Sequence, residues 1–163
     1  MKIDRFNEII SQMSVEIREK RLPEREGVIF LIYKDGKVLL ENRNLPTKAY
    51  SGYRIIPGGK VEKQKDISHE EALKREVWEE CGIEVIEMIH LDTFLHVTIS
   101  NHLYNTSAYL ITKFNGEVRN VEGKSEHIWV DFDEAIKSML FADSRYVVLL
   151  AKQYLNEKEQ LGD

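Results

Sequence analysis

The spacing of apolar residues changes several times along the chain, and each change marks an element. Over 3–19, Ile3, Phe6, Ile9, Ile10, Met13 and Ile17 recur at helical intervals, which predicts an amphipathic helix ended by Pro23. Two β-rich runs follow, GVIFLIY (27–33) and KVLLENR (37–43), flanking Asp35-Gly36, a strong short hairpin signal. Residues 45–53 (LPTKAYSGY) read as a loop, and 54–59 (RIIPGG) as a short strand running into a glycine turn. A helix is predicted over 68–81. Ser68 with Glu71 makes a capping box, and Gly82 stands where a left-handed cap would end it. Residues 83–98 and 102–114 predict two long strands, Asn115-Gly116 a second hairpin turn, and 127–132 a further strand. A short helix over 133–139 and a closing helix over about 143–157 complete the pattern, with a frayed polar tail. Strands and helices alternate irregularly and hairpins are prominent. That predicts an α+β fold with a mixed sheet under packed helices, not a simple parallel βαβ array.

Composition narrows the class. The chain has 163 residues, the length of one domain, so a single domain over 1–163 with a helical extension over about 1–22 is expected. A net charge of −5 argues against a protein that grips the backbone of polymeric nucleic acid. A phosphorylated small molecule is still compatible, because a metal ion can mask its repulsion from acidic side chains. The single cysteine, Cys81, cannot form an internal disulfide and reads as a small packing residue. The N-terminus lacks the unbroken apolar run of a signal peptide, and the longest apolar run is too short for a bilayer. A cytoplasmic protein without a membrane partner is expected.

The candidate chemistry lies in the helix over 68–81. Glu76, Glu79 and Glu80 are related by three- and four-residue steps, so they project from one face. Like charges at this spacing cost a few tenths of a kcal/mol per pair, about 0.2–0.5. They also stand near the helix C-terminus, where the macrodipole disfavours negative charge. A cation would relieve both penalties, and hard oxygen donors suit Mg²⁺ or Mn²⁺. Taken alone, the face reads first as a solvated helix surface, with Arg75 paired to Glu71 or Glu79. The Pro57-Gly58-Gly59 segment just upstream shifts the balance, because glycines there admit close approach of a ligand.

Together these residues resemble the Nudix hydrolase family (MutT-like), whose signature is G-x5-E-x7-R-E-U-x-E-E-x-G-U, with U a bulky aliphatic residue. Gly59 takes the first glycine. Arg75, Glu76, Val77, Glu79, Glu80, Gly82 and Ile83 match the second half without a gap. Arg75 follows Gly59 by sixteen positions, two more than the signature allows, so the loop KVEKQKD carries an insertion. Aligned through Ser68, the first glutamate falls on Ile67, leaving Glu62 or Asp66 to substitute from the shifted loop.

The resemblance implies an α/β/α sandwich and metal-dependent hydrolysis of a nucleoside diphosphate linked to another group. The expected substrate is a (d)NTP or modified nucleotide. It implies Glu76, Glu79, Glu80 and the Gly58 carbonyl as ligands of Mg²⁺ or Mn²⁺, with Arg75 orienting the glutamates. The general base stays open among Glu76, Glu122 and Glu126. Lys60 is a candidate phosphate contact. Arg43, Tyr50, Tyr53 and Arg54 are candidates to stack on a base or clamp a phosphate, although Tyr53 equally suits the core. Phe94, His96 and His102 fall on candidate central strands, where a lone histidine is commonly structural. A non-catalytic nucleotide sensor of the same fold is the alternative, supported by Ile67. The N-terminal helix is a candidate homodimer interface.

Overall fold

β1 (Arg25–Lys34) is apolar on both faces because it is covered from both sides. The computed structural model describes residues 22–44, 52–98 and 101–162; the helix expected over 3–19, the loop 45–51 and Tyr50 lie outside them. β1 forms a hairpin with β2 (Lys37–Asn42) across Asp35-Gly36, both in the left-handed region. It runs parallel to β6 (Leu103–Asn115), which pairs antiparallel with β5 (Glu84–Val97). β2 carries β3 (Arg54–Ile55) and β7 (Glu126–Asp131), both antiparallel to it. The result is the expected mixed sheet.

Period-two alternation divides the core between its two faces. Val28, Phe30, Ile32 and Leu39 pack with Ala72, Leu73 and Val77 of α1 (His69–Cys81). Leu31, Val38, Leu40 and Leu110 pack on the other face with Ala135 of α2 (Phe132–Ser138) and Val147, Val148 and Ala151 of α3 (Ala142–Gln160). This is the α/β/α sandwich. Each fully buried leucine, isoleucine or phenylalanine here contributes roughly 1.5–3 kcal/mol of transfer free energy. No described helix is long and apolar enough to cross a membrane.

Three expectations are corrected. Gly58 and Gly59 do not form a turn: they lie in β4 (Gly58–Lys60), antiparallel to β1 with Val28 opposite Gly59. Asn115-Gly116 is not a hairpin turn, because β7 pairs with β2 and not with β6. Instead Gly116 turns the chain back across the end of α1, where Arg119 N donates to Cys81 O (2.9 Å) and Val121 N to Glu80 O (3.0 Å). The closing helix runs further than expected: α3 continues to Gln160, three residues beyond 157, carrying its polar side chains on exposed turns.

Candidate active site

α1 begins and ends as its sequence dictates. Ser68 Oγ accepts from Glu71 N (3.2 Å), and Gly82 adopts φ +69 to close the last turn. Its apolar side is buried in the sheet, which aims Glu76, Glu79 and Glu80 at the ends of β2 and β7 and at the 117–125 loop. These residues line a cleft of about 290 Å³ with Glu41, Glu122, Arg43, Lys124 and His127.

Arg75 organises one wall. Its Nε and Nη2 bond the two oxygens of Asp66, each at 2.8 Å. Nη2 also donates to Lys60 O (3.1 Å), and Nη1 to Glu76 Oε1 (3.0 Å) and Glu79 Oε2 (3.1 Å). All five guanidinium N–H groups are thereby used. Asp66 Oδ2 also accepts from Glu62 N (2.8 Å), and the guanidinium holds this carboxyl below its ordinary value despite its burial. Of the two residues that the shifted loop offered, Asp66 reaches Arg75. Ile67 is 91% exposed and touches nothing in the cleft.

The glycines of β4 are explained by space. A Cβ on Gly58 would stand 2.2 Å from Val28 O, and one on Gly59 would stand 2.2 Å from Glu76 Cδ. Gly59 therefore provides the hollow in which the Glu76 carboxylate lies.

Burial and neighbouring charge shift the acids upward. The Glu80 carboxyl is pushed up to about 9, first by burial and then by Glu41, Glu76 and Glu122. Glu76 is raised by burial, against the opposing pull of Arg75. Burial also pushes the Cys81 thiol up to about 12, consistent with a packing role.

Glu80 Oε2 is buried and has no hydrogen-bond partner among the described residues. An orphaned buried carboxylate oxygen is costly unless something binds it. As they lie, no three described His, Cys, Asp or Glu side chains form a ready-made metal trio. Glu79 is drawn toward Arg75 and would have to turn to join the others. The donor set is all carboxylate oxygen and fits a hard divalent cation. The cleft is lined by five glutamates with Arg43 and Lys124, an acidic surface whose repulsion of a diphosphate a bound cation would offset.

The structure separates the remaining candidates by strand face. Residues directly opposite on antiparallel strands share a face. Glu41 stands opposite His127 and Ile55, whereas Asn42 stands opposite Glu126 and Arg54. Glu126 thus lies on the far side from the acidic cleft, near Asn44 Nδ2 (3.5 Å). Arg54 bonds Asn42 Oδ1 (2.9 Å) and Ser138 Oγ (2.8 Å), toward α2. Glu122 lines the cleft and is paired with Lys124 (2.8 Å).

A second, more apolar cavity of about 320 Å³ adjoins the first. Gly58, Gly59 and Lys60 form one side of it, and Phe94, His96, Phe141 and Asp143 line it as well. Arg43 lines both cavities. Tyr53 sits beside this cavity, edge-on to Phe141 at 5.1 Å between centroids. His96 Nδ1 pairs with the Asp143 carboxylate. Burial raises that carboxyl, but its bonds to His96 and to the backbone N–H of Ser144 outweigh burial and hold it low. His102 pairs with Glu24 (2.8 Å), away from both cavities.

Glu41, Ser125, His127, Phe141 and Asp143 escaped the sequence reading. For Glu41 a signal was available. It stands two residues after Leu39, whose side chain packs on α1, so alternation puts a carboxylate on the same buried face.

A carboxylate-walled cleft with an aromatic-lined cavity beside it, on an α/β/α sandwich, suits a hydrolase of phosphate anhydrides attached to a larger group. The chain belongs to the Nudix family: the model of the NUDIX domain matches residues 23–151. It is 34% identical over 106 residues to an 8-oxo-dGTP diphosphatase of Proteus vulgaris, covering 64% of this chain and 88% of that one. The MutT NUDIX hydrolase of Burkholderia pseudomallei superimposes with a TM-score of 0.67 at 28% identity, over 80% of this chain and 98% of that one. The NUDIX domain of Shewanella oneidensis NrtR, solved with ADP ribose, gives 0.67 at 17% identity over 87% and 97%, a likeness of fold alone. The chain is a Nudix pyrophosphohydrolase that acts on nucleoside diphosphate linkages.

Proposed function

We propose that the chain hydrolyses a nucleoside triphosphate to the monophosphate and pyrophosphate, with an oxidised guanine deoxynucleotide as the first substrate to test. The observation that carries this reading is Arg43 at the junction of the two cavities. It gives one residue access both to a phosphate chain in the acidic cleft and to the nucleoside beside it. The sequence likeness to an 8-oxo-dGTP diphosphatase supports the choice of base.

In this reading Glu76, Glu79 and Glu80, with the Gly58 carbonyl, hold Mg²⁺ or Mn²⁺. The bound ion would screen the phosphate charge and polarise phosphorus. Arg75, itself held by Asp66 and Lys60 O, orients Glu76 and Glu79 through Nη1. Arg43 and Lys60 contact phosphate oxygens. The base lies among Phe94, Phe141 and Tyr53, with His96 and Asp143 at its polar edge. Water attacks phosphorus, the bond to the bridging oxygen breaks, and the water's proton passes to a cleft carboxylate, Glu76 or Glu122. Glu126 has no part, because it lies on the opposite strand face. The reading also places the enzyme in the cytoplasm, with the nucleotide pool.

The test is product analysis over 8-oxo-dGTP, dGTP, dATP, ADP-ribose and a nucleotide sugar, with Mg²⁺ and with EDTA. Pyrophosphate from 8-oxo-dGTP, abolished by EDTA, is the expected result. Preferred turnover of ADP-ribose would replace the substrate class. Nucleotide binding with no turnover of any of them would favour the sensor.

A further inference from the structure

Among the described residues, Glu41 is the one deeply buried carboxylate in the acidic cleft that does not belong to α1 or to the 117–125 loop. It sits near the end of β2 at 4% exposure, and both its oxygens are engaged. Oε1 accepts from Arg43 Nε (3.0 Å) and Oε2 accepts from Ser125 Oγ (2.9 Å). Burying a carboxylate costs several kcal/mol unless it is paired and hydrogen-bonded, of the order of 3–5 when one partner is removed. A chain needing only a packed strand end would place an apolar residue there, as it does at Leu39.

The two partners of Glu41 belong to different parts of the site. Arg43 lines both cavities. Ser125 closes the loop that carries Glu122 and Lys124. That loop is tied to α1 by Val121 N to Glu80 O (3.0 Å) and is braced internally by Asn120 Nδ2 to Ser125 O (2.6 Å). Glu41 thus joins β2, the arginine and the loop through one rigid side chain. By engaging Nε it fixes the plane of the guanidinium, and with it the direction of the terminal Nη groups.

We propose that Glu41 is a positioning residue for substrate: it locks Arg43 at the junction of the two cavities, with Ser125 holding the other oxygen. The inference rests on the reading of Arg43 as a phosphate contact. It makes Glu41 neither a metal ligand nor a base.

The test is a double-mutant cycle on Glu41 and Arg43, with Glu41→Gln and Ser125→Ala alongside. Gln can still accept from Arg43 Nε and donate to Ser125 Oγ. Glu41→Ala is expected to raise KM for the nucleotide about tenfold, with a smaller change in kcat, the worth of one well-placed charged hydrogen bond. Glu41→Gln should recover to within about threefold of the parent, and Ser125→Ala should fall between them. In an Arg43→Ala background, removing Glu41 should add less than about twofold, because its effect passes through the arginine.

Two results would overturn the inference. One is KM effects that simply add. The other is a loss of Mn²⁺ affinity, about tenfold by paramagnetic titration, in Glu41→Ala or Glu41→Gln, which would make Glu41 a ligand. The same cycle read by calorimetry of dGTP binding in Ca²⁺ buffer needs no turnover. A chain that fails to hydrolyse nucleotides and one that lacks the Glu41–Arg43 coupling therefore give different results. Ser125→Ala and Glu41→Gln keep the inference testable should Glu41→Ala not fold.

Discussion

Asp66 grips Arg75 through two parallel bonds of 2.8 Å, and so ties the lengthened loop before α1 to the carboxylates on it. Replacing Asp66 by Asn leaves the guanidinium half-buried with a mismatched partner. The expected cost is about 3 kcal/mol of stability, and kcat should fall about tenfold or more as Glu76 and Glu79 lose their common anchor. Asp66 is held below its ordinary 3.8 in the folded chain. Its stabilisation is therefore present above that value and lost as pH falls through the lower folded one. Thermal melts of parent and D66N should stay apart above about pH 5 and converge in stronger acid. Ile67→Glu, at a position 91% exposed, should leave activity within about twofold. A large gain in activity from I67E would mean that Asp66 does not serve in its place.

Gly58 and Gly59 should respond to alanine in opposite ways. The Cβ of Gly58→Ala meets backbone, Val28 O, so the strand pairing must yield and the melting temperature should drop sharply. The Cβ of Gly59→Ala meets the end of a flexible side chain, Glu76. The fold should survive with a melting temperature within a few degrees, while kcat falls about 100-fold from displacement of one carboxylate. Calorimetry and steady-state kinetics on the two variants separate these outcomes. Equal loss of stability in both would refute the contrast.

Much of this was legible in the sequence, for identifiable reasons. α1 was readable because Ser68, Gly82 and the apolar stripe agree with one another. That Glu76, Glu79 and Glu80 line one cleft followed from helical geometry alone, whereas the turn of Glu79 toward Arg75 did not. The glycine segment was misread because Gly-Gly marks both turns and close approach, and only the packing of Glu76 against β4 decides between them. Asn115-Gly116 misled for a related reason: the dipeptide fixes a turn but not which strand follows it, and β7 pairs with β2 across the chain. Glu122 and Glu126 could not be distinguished by spacing. They separate once β7 is in register with β2, which puts Glu126 opposite Asn42 and leaves Glu122 on the loop. The aromatic-lined cavity draws on β1, β5 and the start of α3, so no local motif could announce it.

Selectivity for the base should pass through Asp143. Its carboxylate is held ionised by His96 and faces the cavity that Phe94 and Phe141 line. Asp143→Asn keeps the shape but exchanges one acceptor for a donor. The ratio of kcat/KM between guanine and adenine nucleotides is expected to change by about tenfold or more, since each mispaired polar group costs about 1–3 kcal/mol. The amounts of the two nucleoside monophosphates formed under competing substrates read the ratio directly. An unchanged ratio with lower overall activity would place the base elsewhere.

Glu80 gives the sharpest pH prediction. Its carboxyl is pushed up to about 9 in the folded chain, against an ordinary value of 4.5. Between these values the folded state binds the proton that the unfolded state has released. Stability therefore falls with rising pH across that window, the reverse of the Asp66 case. In EDTA, Glu80→Gln should melt higher than the parent at pH 8 to 9, by about 5 °C, and the gap should close toward about pH 5. Added Mg²⁺ should raise the parent's melting temperature most at high pH, where the carboxylate ionises readily to receive it. The same addition should move E80Q little. Hydrolysis should be lost in E80Q at every pH, so its stability and activity diverge. A variant less stable than the parent at pH 9 in EDTA, or one that keeps its Mg²⁺ response, would show that Glu80 is not a strained, cation-seeking acid.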